Sequence, residues 1–206
     1  MTDILRIDHV TKSYDKFQLK DISFSVPSGC IMGLIGENGA GKTTVMKAIL
    51  QLIAPEEGKV FLFGQEFDGR DRAVLEQVGV VLDRCYFYPD LTGKNVNHMM
   101  KQIYQSWEED RFYSYLEQFS IDPGKSIRKY SRGMETKLSL ACALSHQSRL
   151  LILDEPAGGL DPAAREELLD LFWNFIQEEN HSILLSSHIV TDLEKICDYL
   201  TYIHKG

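Results

Sequence analysis

The stretch that most narrows what this chain can become runs from Gly33 to Thr44, Gly-Leu-Ile-Gly-Glu-Asn-Gly-Ala-Gly-Lys-Thr-Thr. Gly36, Gly41, Lys42 and Thr43 fit the pattern G-x-x-x-x-G-K-[ST] without a mismatch. An apolar run from Cys30 to Ile35 leads into it, and Val45 to Leu52 reads as a helix behind it. Glycines let backbone N–H groups approach phosphate oxygens with no Cβ between them. The start of the helix adds unpaired N–H groups and a partial positive charge. Lys42 carries a full charge toward the outer phosphates, and the Thr43 hydroxyl can ligate magnesium. A Gly-rich turn with a surface lysine is the plain alternative. The position between an apolar strand and a helix decides for a nucleotide phosphate site.

The 206 residues are enough for one large α/β domain, or for a core with inserted subdomains. With 44% hydrophobic and 25% charged residues, the composition is that of an ordinary soluble protein. A net charge of −8 argues against nonspecific nucleic-acid binding as the main task, so no nucleic-acid partner is expected. Cys30, Cys85, Cys142 and Cys197 form no C-x-x-C pair and read as isolated core thiols. No apolar run approaches the length of a membrane span, and Asp3, Arg6 and Asp8 argue against a secretory signal.

Ile4 to Val10 and Gln18 to Val26 alternate apolar and polar residues and read as half-buried antiparallel strands. Between them lies Tyr14, which either stacks on a purine base or packs on a hairpin edge. Beyond the glycine loop, Val60 to Phe63 is a short strand, Arg70 to Gln77 a helix, and Val78 to Leu82 a buried strand. From Asp83 to Gln147 the signals become helical, as in a helical subdomain set into an α/β core. Thr92 caps one helix, Ser106 with Glu109 makes a capping box for the next, and Ser131 caps a third over Arg132 to His146. On that third helix Leu138, Ala141, Cys142 and Ser145 form a packing face. Leu150 to Leu153 then ends in Asp154 and Glu155. A buried parallel strand delivers its carboxyl end to the ligand crevice of an open sheet. There Asp154 suits a magnesium shell, and Glu155 can orient or deprotonate a water. Asp161 caps the following helix with Pro162 at its first position. Ser182 to Ser186 is another apolar strand with His188 just past its end, and Tyr199 to Ile203 is the last strand.

The ordered set of Tyr14, the P-loop, Ser131-Arg132-Gly133, Leu150 to Glu155, Gly159-Leu160-Asp161 and His188 resembles the ATP-binding subunit of a bacterial ABC transporter. The resemblance covers essentially the whole chain. It implies an α/β fold: a P-loop NTPase core with a mainly parallel sheet, an N-terminal antiparallel β subdomain and an inserted α-helical subdomain. Residues 1–206 would be one ATP-binding domain, with 83–147 helical and the rest core and β subdomain. ATP and Mg2+ would be bound. Tyr14 would stack on adenine, while Gly36, Glu37, Asn38, Gly39, Ala40, Gly41, Lys42, Thr43 and Thr44 would hold the phosphates and metal. Asp154 would support the metal, Glu155 would be the catalytic carboxylate and His188 would contact the γ-phosphate. Ser131 and Gly133 would bind the ATP held by a second, facing subunit, with Asp161 at the contact. The partners implied are that second subunit and a membrane-spanning permease, at the cytoplasmic face of the membrane.

Two departures stand out. The signature segment, usually Leu-Ser-Gly-Gly-Gln, is here Tyr130-Ser131-Arg132-Gly133-Met134. Its contacts survive if they come from the serine hydroxyl and backbone N–H groups. Where relatives carry a glutamine that reaches the metal, this chain has Asp83, a carboxylate still able to coordinate magnesium. The aromatics Tyr86, Phe87 and Tyr88 that follow either anchor a permease helix or fill the seam between core and helical subdomain. A GTPase is disfavoured because no Asn-Lys-x-Asp motif occurs. A soluble ATPase of this class acting on DNA or ribosomes is the alternative, as is a regulatory module with little turnover.

Overall fold

Hydrophobic alternation sorts the strands into two sheets in the computed structural model, which describes residues 2–206. The chain runs β1 (Asp3–Tyr14), β2 (Phe17–Pro27), β3 (Ile31–Ile35), α1 (Lys42–Ile49), β4 (Glu57–Leu62), β5 (Gln65–Glu66), α2 (Arg72–Leu75) and β6 (Val78–Val81). It continues through α3 (Gly93–Ile103), α4 (Glu109–Gln118), α5 (Arg132–Leu144), β7 (Leu150–Asp154), α6 (Pro162–Ile176), β8 (Ser182–Ser187), α7 (Val190–Ile196) and β9 (Tyr199–Tyr202). One sheet is antiparallel in the order β2-β1-β4-β5, and the other has the order β6-β7-β8-β3-β9. Every pairing in the second sheet is parallel. The expected α/β P-loop fold is therefore the observed one.

The inner strands of the parallel sheet are apolar on both faces because both are covered. Leu151 and Leu153 of β7, with Ile183 and Leu185 of β8, pack against Val96, Phe112, Leu116, Leu138 and Phe172 of the helices. The alternate residues Ile152 and Leu184, with Met32 and Leu34 of β3, meet Val45, Met46 and Ile49 of α1 and Leu5, Ile7, Val60 and Leu62 of the antiparallel sheet. Helix α1 is thus held between the two sheets, and its first residue, Lys42, inherits a fixed position. The helices from α3 to α5 share one core with the sheet they cover. The packing face expected on α5 is buried at all four positions, Leu138, Ala141, Cys142 and Ser145.

Thr92 caps α3 in a full capping box with Asn95. The box expected from Ser106 and Glu109 does not form, and this corrects the sequence reading. Helix α4 begins after Glu108 with no side-chain cap. The Ser106 hydroxyl instead donates to Glu76 at 2.8 Å, and that carboxylate also takes the N–H of Gln105 at 2.8 Å. A charged acceptor across the core competes successfully with a local cap. All four cysteines are free thiols, and burial pushes each of them above its ordinary pKa. Tyr86 and Tyr88 are exposed, whereas Phe87 packs against the core, so only Phe87 fills the seam between core and helical segment.

Candidate functional site

Parallel register gathers the loop ends at one edge of the sheet. Ile35 of β3 pairs with Ser187 of β8, and Asp154 of β7 pairs with Ser186. The glycine loop, the two acids and His188 therefore leave the sheet side by side, in the crevice where open α/β sheets bind ligands. Gly39, at φ +85°, and Gly41, at φ +113°, turn the loop back on itself. A Cβ at Gly41 would be strained at this φ and would also press within 2.7 Å of the Phe17 and Leu19 side chains, so glycine is favoured there. The loop encloses a cavity of about 200 Å³ lined by Phe17, Asn38, Gly39, Gly41, Lys42, Thr43, Thr44 and Glu155.

Lys42 is only 6% exposed. Its ammonium donates to the Gly36 carbonyl at 2.8 Å and to the Glu37 carbonyl at 3.4 Å, and stands 3.3 Å from Glu155 Oε1. A buried ammonium is stable only with such partners, and an arriving anion can take their place. The other oxygen of Glu155 meets His188 Nδ1 at 2.7 Å. Glu155 thus bridges Lys42 and His188, and it does so from a left-handed backbone at φ +51°. That conformation is uncommon for a residue with a Cβ and marks a position where geometry is imposed by the surroundings. Ala40 is buried, and its N–H donates to the Glu37 carbonyl at 3.0 Å, closing the turn.

Asp154 is 1% exposed, and each of its oxygens has a donor. Thr43 Oγ1 donates to Oδ2 at 2.5 Å, and Ser186 Oγ donates to Oδ1 at 2.5 Å. A hydroxyl and a carboxylate side by side, with no sulfur or imidazole among them, make an all-oxygen donor pair that fits a hard divalent cation such as magnesium. The buried ammonium and the glycine turn fit a polyphosphate. Among the described residues no group of three or more His, Cys, Asp or Glu side chains is placed to hold a metal on its own.

Other residues singled out in the sequence lie apart from this cavity. Tyr14 ends β1 directly opposite Phe17 in the hairpin, 47% exposed, and Phe17 is the ring that lines the cavity. Ser131 caps α5 by accepting from the Met134 N–H at 3.2 Å. Gly133 lies against Leu160. Asp161 caps α6 through the Ala164 N–H at 2.9 Å, and that bond holds its carboxyl below the usual carboxylate range. Asp83 is exposed, and among the described residues its side chain takes part in one hydrogen bond, a 3.4 Å contact from the Tyr86 hydroxyl. It makes no hydrogen bond to Thr43 or Asp154. Phe17 and Ser186 are the residues of the site that sequence reasoning missed. A second aromatic three residues after Tyr14 was the available signal for the first. Nothing in the run Ser182 to Ser187 distinguishes the second.

The ABC transporter family profile matches residues 19–158. The bacitracin transport ATP-binding protein BcrA of Bacillus licheniformis is 34% identical over 209 residues, spanning 100% of this chain and 68% of its own length. The lantibiotic transport ATP-binding protein SrtF of Streptococcus pyogenes is 31% identical over 206 residues, 98% of this chain and 88% of the relative. A solved ATP-binding subunit of an ABC transporter superposes with a TM-score of 0.88 at 29% identity, covering 98% of this chain and 87% of that one. With the P-loop, the paired acids and the capped helix start all in family order, this chain belongs to the ABC transporter family, among its ATP-binding subunits.

Proposed function

We propose that the chain hydrolyses ATP at sites shared between two facing copies or close relatives, and that the cycle drives a separate membrane-spanning partner. The observation that carries this reading is a division of the site. Lys42, Thr43 and Glu155 line one cavity, with Asp154 bonded to Thr43 and His188 to Glu155 behind them, while Ser131 and Gly133 stand outside it at the start of α5. A capped helix start suits an anion, and this one does not border the phosphate cavity of its own copy. A second copy, turned face to face, would bring its α5 start to the first copy's phosphates.

Lys42 and the loop N–H groups bind the phosphates, and Thr43 and Asp154 would hold Mg2+. When bound, that ion supplies positive charge at the outer phosphates. Binding of the γ-phosphate at Lys42 frees Glu155 from its ion pair. Its carboxylate can then accept the proton of a water that attacks phosphorus, while the bond to the departing diphosphate breaks. His188, released from the same carboxylate, is placed to donate toward the γ-phosphate. Tyr14 and Phe17 together offer a surface for the base and sugar. Asp161 lies near the contact of the two copies. Asp83 serves the metal only if its loop moves from Tyr86.

The membrane partner would dock in a cavity of about 620 Å³ between β6 and α5, where Leu52 and Tyr86 are exposed beside Phe87 and Met100. Among the described residues no helix is long and apolar enough to cross a membrane. In the proposed assembly the membrane partner would hold the chain at the cytoplasmic face. Residues 83–147 would move as the helical part of one ATP-binding domain, against residues 1–82 and 148–206.

Steady-state phosphate release tests the reading. Glu155→Gln keeps ATP binding but loses turnover by about 10²-fold or more, and accumulates as an ATP-bound dimer in analytical ultracentrifugation. Hydrolysis at the parent rate would remove Glu155 as the base.

A further inference from the structure

We infer that Ser186 is a positioning residue that ties the two acids together and sets the aim of Glu155; the inference rests on the roles proposed above for Asp154 and Glu155. Ser186 lies on β8, between β7 and β3 in the sheet, and has no exposed surface. In the parallel register it is directly beside Asp154. Its hydroxyl makes two bonds in opposite senses. It donates to Asp154 Oδ1 at 2.5 Å and accepts the N–H of Glu155 at 2.9 Å.

The neighbours Ile183, Leu184 and Leu185 are buried and apolar, so burial alone would be served by an apolar side chain at 186. A hydroxyl in such surroundings is stable only when hydrogen-bonded, and this one has both its proton and a lone pair engaged. The two bonds act on different degrees of freedom. Donation to Oδ1, against Thr43 on Oδ2, fixes rotation of the Asp154 carboxylate. Acceptance from the Glu155 N–H holds the peptide that enters the left-handed turn at φ +51°. That turn directs the Glu155 side chain to Lys42 and His188. Without the hydroxyl, a buried carboxylate oxygen and a backbone N–H lose their partner together, and Glu155 is free to relax toward right-handed backbone.

The test compares Ser186→Ala and Ser186→Thr with the parent chain in three measurements. These are turnover with magnesium, calorimetric ATP affinity in EDTA, and the magnesium concentration needed for tight binding. The alanine variant loses about 10–100-fold in kcat and needs more magnesium, as removal of a group behind a metal ligand does. Its ATP affinity in EDTA stays within about twofold of the parent, because Lys42 and the loop are untouched. The threonine variant, which keeps the hydroxyl, recovers most of the turnover. A Ser186→Ala chain within about twofold of parent kcat would overturn the assignment. Equal impairment of both variants would do the same, as would loss of EDTA affinity in step with turnover, which makes the residue structural. Glu155→Gln is run alongside: if it turns over at the parent rate, it is the reading of Glu155 as base that fails, whatever Ser186 does.

Discussion

At Glu155 the backbone and the side chain make opposite demands. The carboxylate satisfies Lys42 and His188, but its backbone sits at φ +51°, where a Cβ is disfavoured. Replacing it by alanine removes the carboxylate and keeps the Cβ; replacing it by glycine removes both. The difference between those two variants isolates the backbone, and Glu155→Gly is expected to be more stable than Glu155→Ala by about 1 kcal/mol in urea unfolding of the nucleotide-free chain. Equal midpoints would mean the turn is not strained. Lys42→Ala acts differently, since among the described residues Lys42 is the one lysine or arginine that lines the cavity. Its effect falls on ATP affinity itself, by about tenfold or more in calorimetry, in keeping with loss of a charge-assisted contact. Lys42, Thr43, Asp154 and Glu155 are legible in the sequence because each is one step from a strand or helix end that the apolar pattern marks. Ser186 and Phe17 are not. Their partners lie 32 and 24 residues away in sequence (Asp154 and Gly41), and only the register of β7 on β8 and the fold of the hairpin over the loop bring them together.

Among the elements, the connection from α3 to α4 is held by a residue that precedes both. Glu76, just after α2, accepts from the Gln105 N–H, the Ser106 N–H and the Ser106 hydroxyl. The imidazole of His146 stacks on Tyr104 with 4.1 Å between ring centroids and bonds to the Glu76 carbonyl at 2.9 Å. Burial pushes the Glu76 carboxyl upward, but the three hydrogen bonds outweigh it, and it titrates below its ordinary 4.5. A carboxyl depressed on folding contributes its stability in full above pH 4.5 and loses it as pH falls through the lower folded value. Glu76→Gln should therefore be less stable than the parent near pH 7, by about 1 kcal/mol after allowance for solvent at this half-buried site. The gap should narrow below pH 4.5 in urea titrations. A gap constant from pH 7 to pH 3 would mean the charge plays no part. The same knot explains why elements were easier to read than their junctions. Thr92 and Asn95 are three apart, and the box they form is local. Ser106 and Glu109 have the same spacing, but a carboxylate 30 residues upstream takes the serine.

For the whole molecule, the decisive question is whether one copy contains a complete site. In the proposed pair the net charge of −8 on each chain opposes closure, and contacts from both copies to the nucleotide would offset it. If each site pairs the P-loop of one copy with the α5 start of the other, two differently damaged chains can repair each other. Lys42→Ala disables only the phosphate cradle. Gly133→Asp puts a negative charge beside the facing phosphates, and its nearest obstacle, the flexible Leu160 side chain at 3.1 Å, can yield. Each variant alone is expected to be inactive, because every site in its own dimer contains the lesion. In an equal mixture half of the pairs are mixed, and each mixed pair has one site with both lesions and one with neither. Phosphate release should then return to about a quarter of the parent rate at equal total concentration, provided that one intact site suffices. It should also fall off on dilution, as association of two chains requires. A mixture no more active than its components, in variants that still bind each other, would deny the shared site. Activity in either variant alone, unchanged by mixing, would put both halves of the chemistry within a single copy.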